Sequence, residues 1–157
     1  MARSALLVAS LFALVACGPI CGIGAHLTLS NARVDSSYTC PNPSDNRPYI
    51  VHGFIDVDNY TSKKLTIKAV KEHDELVKTG GNWDGPTTAV DDGPVDGYSP
   101  KTVNSGDKTT LKLNIGFKCT NSGAGSSTFG EFSFKFTVQT DNGTFTLTAN
   151  HHRLQFA

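Results

Sequence analysis

Strict alternation of apolar and polar residues sets the tightest limit on what this chain can fold into. From Thr109 to Cys119, Leu111, Leu113, Ile115, Phe117 and Cys119 alternate with Thr110, Lys112, Asn114, Gly116 and Lys118. A period of two places every second side chain on one face of an extended strand, so this segment reads as a strand with one face in a core and the other in water. Glu131 to Leu154 carries the same pattern twice. Phe132, Phe134, Phe136 and Val138 lead into Asp141-Asn142-Gly143-Thr144, and Phe145, Leu147 and Ala149 return. With Asn142-Gly143 as a two-residue type I′ loop, Val138 faces Leu147 and Phe136 faces Ala149, so both apolar sets share a side. Leu154 and Phe156 fall on the opposite parity, which predicts a bulge near His151-His152.

Shorter segments follow the same rule. His26 to Val34 and Tyr49 to Val57 read as strands. Leu65, Ile67 and Ala69 alternate with Thr66 and Lys68 in a third strand that runs on past Val70, after the polar turn Asp58 to Lys64. Ser36 to Asn46 is a turn-rich connection. Residues 78–108, rich in Gly, Pro and Asp, form a long loop holding Trp83, the chain's single tryptophan, and Tyr98. The expected fold is all-β: a two-sheet antiparallel sandwich over residues 27–157 with one long loop. Cys119 lies on the apolar parity, so its sulfur points inward, where a buried partner such as Cys40 would reach it. That disulfide would close a loop of about 80 residues; the alternative is two separate buried thiols.

The N-terminus is of another kind. Arg3 precedes an unbroken run of apolar and small residues from Ala5 to Ala16. A positive residue ahead of such a run is the pattern of a secretory signal, too short to span a bilayer, which takes about 20 helical residues. Residues 1–16 are therefore read as a signal peptide and 17–26 as a Gly-rich flexible tether. Leu14-Val15-Ala16-Cys17 resembles a bacterial lipobox, and the resemblance covers these four residues alone. It implies cleavage before Cys17, lipid on its thiol, and anchorage of the domain to a membrane of the bacterial cell envelope. The competing reading is ordinary cleavage after Ala16 or Ala25, giving a secreted, untethered protein. The four cysteines are Cys17, Cys21, Cys40 and Cys119. In an exported chain either all four pair, or Cys17 carries lipid and Cys21 is left over, while cleavage after Ala25 would remove both.

Val51 to Asn59 and Val103 to Leu111 resemble the strand-turn patterns of Ig-like domains in bacterial surface lipoproteins. The resemblance is architectural and implies a sandwich of that kind. It departs from antibody-type domains, since no Trp stands at the spacing expected for a core partner of the disulfide, Trp83 lying in the long loop instead, and it carries no functional residues across.

The formal net charge of +0 gives no electrostatic footprint for nucleic acid. Nucleophile elbows, zinc-protease motifs, phosphate-cradling Gly loops and Cys-X-X-Cys pairs are absent from the sequence, so no catalytic residue, cofactor or metal site is assigned and a non-enzymatic binding or structural role is expected. The five histidines, His26, His52, His73, His151 and His152, read as surface polar residues. Asp84, Asp91, Asp92 and Asp96 match no cation-loop spacing and read as solvated turn residues. For a protein or carbohydrate ligand, the candidate contact residues are Trp83, Asp84, Asp96 and Tyr98, because aromatics with polar neighbours offer large contact area at small entropic loss. The plainer alternative is that Trp83 and Tyr98 pin the loop to the sandwich.

Overall fold

Alternation governs the computed structural model, which describes residues 26–119, 125 and 127–157. The expected signal peptide, Cys17 and Cys21 lie outside the described residues. The strands are β1 (Leu27–Val34), β2 (Ser37–Cys40), β3 (Pro48–Asn59), β4 (Leu65–Gly80), β5 (Val90–Pro94), β6 (Gly97–Ser99), β7 (Thr102–Val103), β8 (Lys108–Lys118), β9 (Phe129–Thr140), β10 (Gly143–Thr148) and β11 (His152–Phe156). One sheet has the order β1-β3-β8-β6 and the other β2-β11-β9-β4-β5, with β10 added to β9 and β7 to β4. The fold is the expected all-β two-sheet sandwich. All pairs are antiparallel except β2 with β11.

The core lies between the two inner faces. Val51, Ile55 and Val57 of β3 and Leu111, Leu113 and Ile115 of β8 meet Phe132, Phe134, Phe136 and Val138 of β9, all buried. Within the expected long loop, β5, β6 and β7 form, and β4 extends through Gly80, so the longest stretch of that segment without a strand is residues 81–89. Sequence periodicity missed these strands because two to five residues, with Gly and Pro among them, offer too few alternations to read.

The hairpin closes two residues earlier in register than the Asn142-Gly143 loop would place it. Thr140 faces Gly143, Val138 faces Phe145 and Phe136 faces Leu147, making Asp141-Asn142 the loop. Thr140 supplies the reason: its hydroxyl donates to the Gly143 carbonyl at 2.9 Å and accepts from the Asn142 N–H at 3.0 Å. Asp141 is meanwhile tied to β4, its N–H donating to the Thr66 carbonyl and its carboxylate accepting from the Thr66 N–H. A shift of two residues conserves parity, so the apolar residues keep a common face. The expected bulge is present. Thr148 faces Lys135 while His152 faces Phe132, one extra residue on the returning chain.

Cys40, ending β2, and Cys119, just beyond β8, form a disulfide with Cα atoms 5.8 Å apart, and it joins the two sheets. Both residues are fully buried. The bridge spans a sequence separation of 79 residues. Replacing Cys40 and Cys119 together by Ala is expected to lower unfolding free energy by about 4 kcal/mol in urea titration. Unmodified protein titrated with reductant should converge on the same midpoint, and an unchanged midpoint would show that the bridge adds nothing to stability.

Candidate functional site

The site begins with a register shift. β4 carries one extra residue against β9 between Ile67 and Ala69. Before it, Leu65 and Ile67 face the core; after it, Val70, Asp74 and Leu76 are buried, with Glu72 half-buried between them. A bulge exchanges the faces of everything that follows it. Here it turns two carboxyls inward and Lys71, His73 and Glu75 outward. Ala69, expected on the core face, is only half-buried, and Val70 takes that place.

A second feature opens the sandwich beside those acids. β6 pairs with β8 only from Lys112 to Asn114, so the β8 stretch 116–118 has no strand on that side among the described residues. Between this stretch and β4–β5 lies a cleft of about 830 Å³. Tyr49, Trp83, Phe117 and Phe132 form aromatic wall, and Asp74, Asp91 and Asp96 also line it, with Lys118 and the exposed Ile50. Phe117 sets the wall rigidly, edge-on to Phe132 at 5.2 Å and to Tyr49 at 5.7 Å.

Two glycines make room. A Cβ on Gly116 would lie 2.6 Å from an Asp96 carboxylate oxygen, so its absence lets that carboxylate lie close against β8. A Cβ on Gly130 would lie 2.6 Å from the Trp83 ring, so the indole rests on bare backbone. Trp83 also packs edge-on to Phe156 at 6.2 Å and donates its Nε1–H to the Pro86 carbonyl at 3.2 Å. It therefore both pins its loop and lines the cleft.

Of the four residues singled out in the sequence, Trp83 and Asp96 meet in this cleft. Tyr98 does not line it. Its hydroxyl donates to the Ile67 carbonyl at 3.3 Å beside the β4 bulge, and the Lys101 ammonium sits 3.0 Å from its ring centre. Asp84 is exposed and outside the lining. Glu72, Asp74, Tyr49, Phe117 and Phe132 were missed. The signal for the acids was legible: Val70 and Leu76 share a parity, and Glu72 and Asp74 fall between them on it.

The acids are electrostatically frustrated. Asp91 stands directly opposite Asp74 in the β4–β5 ladder, a like-charge pair. Asp74 is 4% exposed, and no other residue donates a hydrogen bond to its carboxylate among the described residues. Glu72 Oε2 is buried without a hydrogen-bond partner. Burial, then the charges of Asp74, Asp91 and Asp96, pushes the Glu72 carboxyl up from 4.5 to about 8. Burial, then Asp91, raises Asp74 from 3.8 to about 6. Asp92 faces away and holds His73 at 2.8 Å. Among the described residues no three His, Cys, Asp or Glu side chains are grouped so as to hold a metal ion.

Behind the cleft lies a buried polar chain. His152 is 1% exposed, which corrects its reading as a surface residue; the bulge before β11 turns it inward. Its Nδ1–H donates to the Asp35 carbonyl at 2.7 Å, leaving Nε2 to accept the Tyr49 hydroxyl at 3.1 Å. Burial lowers its pKa and raises that of Tyr49, so both stay neutral. Tyr38 stacks on Tyr49 with centroids 4.0 Å apart and completes the pile.

No family model and no curated protein sequence matches the chain. Among solved structures, it is similar to a Bordetella pertussis protein designated ApaA at 14% identity, covering 83% of this chain and 94% of that one, with a TM-score of 0.39. An ASH / PapD-like domain of a human protein matches at 12% identity over 98% of each chain, with a TM-score of 0.33. AggA, the major subunit of an Escherichia coli aggregative adherence fimbria, matches at 10% identity over 84% of this chain and 96% of that one, with a TM-score of 0.34.

The raised carboxyl of Glu72 has a consequence for stability. From pH 4.5 to about 8 the folded chain holds a proton that the unfolded chain has released, so stability falls as pH rises through that window. His152, with its depressed pKa, acts only below its ordinary value of 6.5, where the unfolded chain gains a proton and stability falls with acid. Between about pH 6.5 and pH 8.5 thermal unfolding should therefore show declining stability, and Glu72→Gln should remove about 1 kcal/mol of that decline, the full shift being discounted for partial solvent access. An identical slope in the variant would refute the assignment.

Proposed function

We propose that this chain is a non-enzymatic, extracytoplasmic binding domain of the bacterial envelope, lipid-anchored at Cys17, with its ligand site in the cleft between β8 and β4–β5. The observation that carries the binding role is the cleft itself. At about 830 Å³ it falls in the range of small-molecule sites, and it combines aromatic wall with a few polar groups in one place. The Cys40–Cys119 bridge supports an oxidising compartment, in keeping with the signal-like N-terminus. The lipobox Leu14-Val15-Ala16-Cys17 supports the tether.

Cys21 favours a second reading, a secreted and untethered recognition module, because lipid on Cys17 leaves Cys21 without a partner in the chain. Intact mass spectrometry of mature protein from a bacterial host separates the two. A chain starting at Cys17 with acyl mass supports the anchor; one starting at His26 without lipid removes it.

Occupancy of the cleft is testable with the neutral dye Nile red, whose emission brightens in apolar sites, while the single Trp83 reports from the wall. The dye should bind and change Trp83 emission. Ile50→Arg alters an exposed position at the cleft, leaves the core intact, and should weaken binding by about tenfold or more. Absence of binding, or binding indifferent to Ile50→Arg, would count against the cleft as a ligand site.

A further inference from the structure

We infer that the cleft binds a small organic ammonium compound, a cationic amine carried on an apolar body. This rests on the reading of the cleft as a ligand site and names what the site selects. Two independent features converge on that chemistry. The first is the lining: Tyr49, Trp83, Phe117 and Phe132 offer aromatic surface, and aromatic faces attract cations that have left water. The second is uncompensated negative charge at the same wall. Asp74, 96% buried by its 4% exposure, lines the cleft with no hydrogen bond from any other described residue, and none of Asp74, Asp91 and Asp96 has a salt-bridge partner among the described residues.

A lone acidic cluster on a surface would be screened by water and counter-ions. Here the carboxyls of Asp74, Asp91 and Asp96 adjoin an aromatic wall, where a cation with an apolar body satisfies both the charge and the wall. An inorganic divalent cation would leave the aromatics unused and would need six or more oxygens, a set these residues do not assemble. The groups facing the acids from neighbouring elements are Lys118 from β8, Tyr49 from β3, Asp91 from β5 and Asp96 beyond it, with His152 behind Tyr49. Lys118 is the single cation in the lining, and it is exposed.

Binding of an ammonium would favour the ionised carboxyls and expel their protons, so affinity rises with pH until the acids are fully ionised. The test compares 2-phenylethylammonium with neutral 2-phenylethanol and anionic 3-phenylpropionate, by calorimetry and Trp83 emission on the mature chain. The amine should bind at least about tenfold tighter than the alcohol, with the anion weakest, and about tenfold tighter near pH 8.5 than near pH 5.5. Asp91→Asn with Asp96→Asn changes two exposed residues of the lining and should remove most of the preference for the amine over the alcohol. If the alcohol binds as well as the amine, the ammonium inference falls and the cleft stands. If Nile red and all three compounds fail to bind, the cleft reading falls and takes the inference with it. Displacement of the amine by millimolar calcium at the same residues would assign the acids to a metal and overturn the proposal.

Discussion

The pairing of β4 with β9, offset by one residue between Ile67 and Ala69, decides what lies between the sheets. β9 supplies the central ladder of the larger sheet, and its inner face of Phe132, Phe134, Phe136 and Val138 is continuous. β4 matches it only by changing faces partway. Without the bulge, Ala69, Lys71, His73 and Glu75 would follow Ile67 inward, and a lysine ammonium would stand among phenylalanines. With it, Val70 and Leu76 reach the core, and the residues between them are carboxyls that neutralise by taking up a proton. The local backbone is held by neighbours: the Ile67 N–H donates to the Lys101 carbonyl, and the Ile67 carbonyl accepts the Tyr98 hydroxyl. Tyr98 thus serves the site from a distance, by fixing the bulge that orients Glu72 and Asp74.

The two ends of the sandwich are finished differently. Near Cys40 and Cys119 the sheets are joined covalently, and Tyr38, Tyr49 and His152 fill the adjoining space with stacked rings whose polar atoms find one another. Buried polar groups satisfied in this way fix a unique packing. Along the edge between β8 and β4–β5, the pairing of β6 with β8 stops at Asn114 and the cleft opens beside the aromatic layer. Phe117 and Tyr49 belong to both regions, backed by the filled end and facing the cleft. A pocket wall built on such residues is preorganised, so little side-chain freedom remains to be lost when a ligand arrives.

Long alternation was legible in the sequence, and short or bulged alternation was not. Thr109 to Cys119 gave β8 and the inward sulfur, and the hairpin gave β9, β10 and the bulge before β11, because several consecutive residues agree on one parity. The hairpin register was read two residues away, since Asn-Gly chemistry was weighed without the Thr140 hydroxyl and the tie from Asp141 to Thr66 that compete with it. β2 was hidden in a proline-rich stretch, and β5 to β7 in a loop-like composition. The site divides in the same way. Trp83 and Asp96 stood out by residue type and local company, whereas the parity that Glu72 and Asp74 share with Val70 and Leu76 was masked by the Leu65-Ile67-Ala69 alternation before the bulge. His152 was misread although the bulge before it was expected: it shares the parity of Leu154 and Phe156, and residue type was weighed above that parity.

Glu72 and Asp74 are a local departure from what stability alone favours. An apolar pair at those positions would continue the stripe from Val70 to Leu76 and avoid both desolvation and the repulsion from Asp91 and Asp96. Nothing in the fold is held by these carboxyls: they bridge no strands, cap no turn and pair with no cation among the described residues. Asn59 is the contrast. It is fully buried, yet its amide donates to the carbonyls of Lys63, Val103 and Asn104 and accepts from Thr61, so its polarity closes a strand junction. Buried polarity that supports the fold looks like Asn59. Buried polarity such as that of Asp74, which opens onto an aromatic cleft without a donor from another described residue, has its natural counterpart outside the chain.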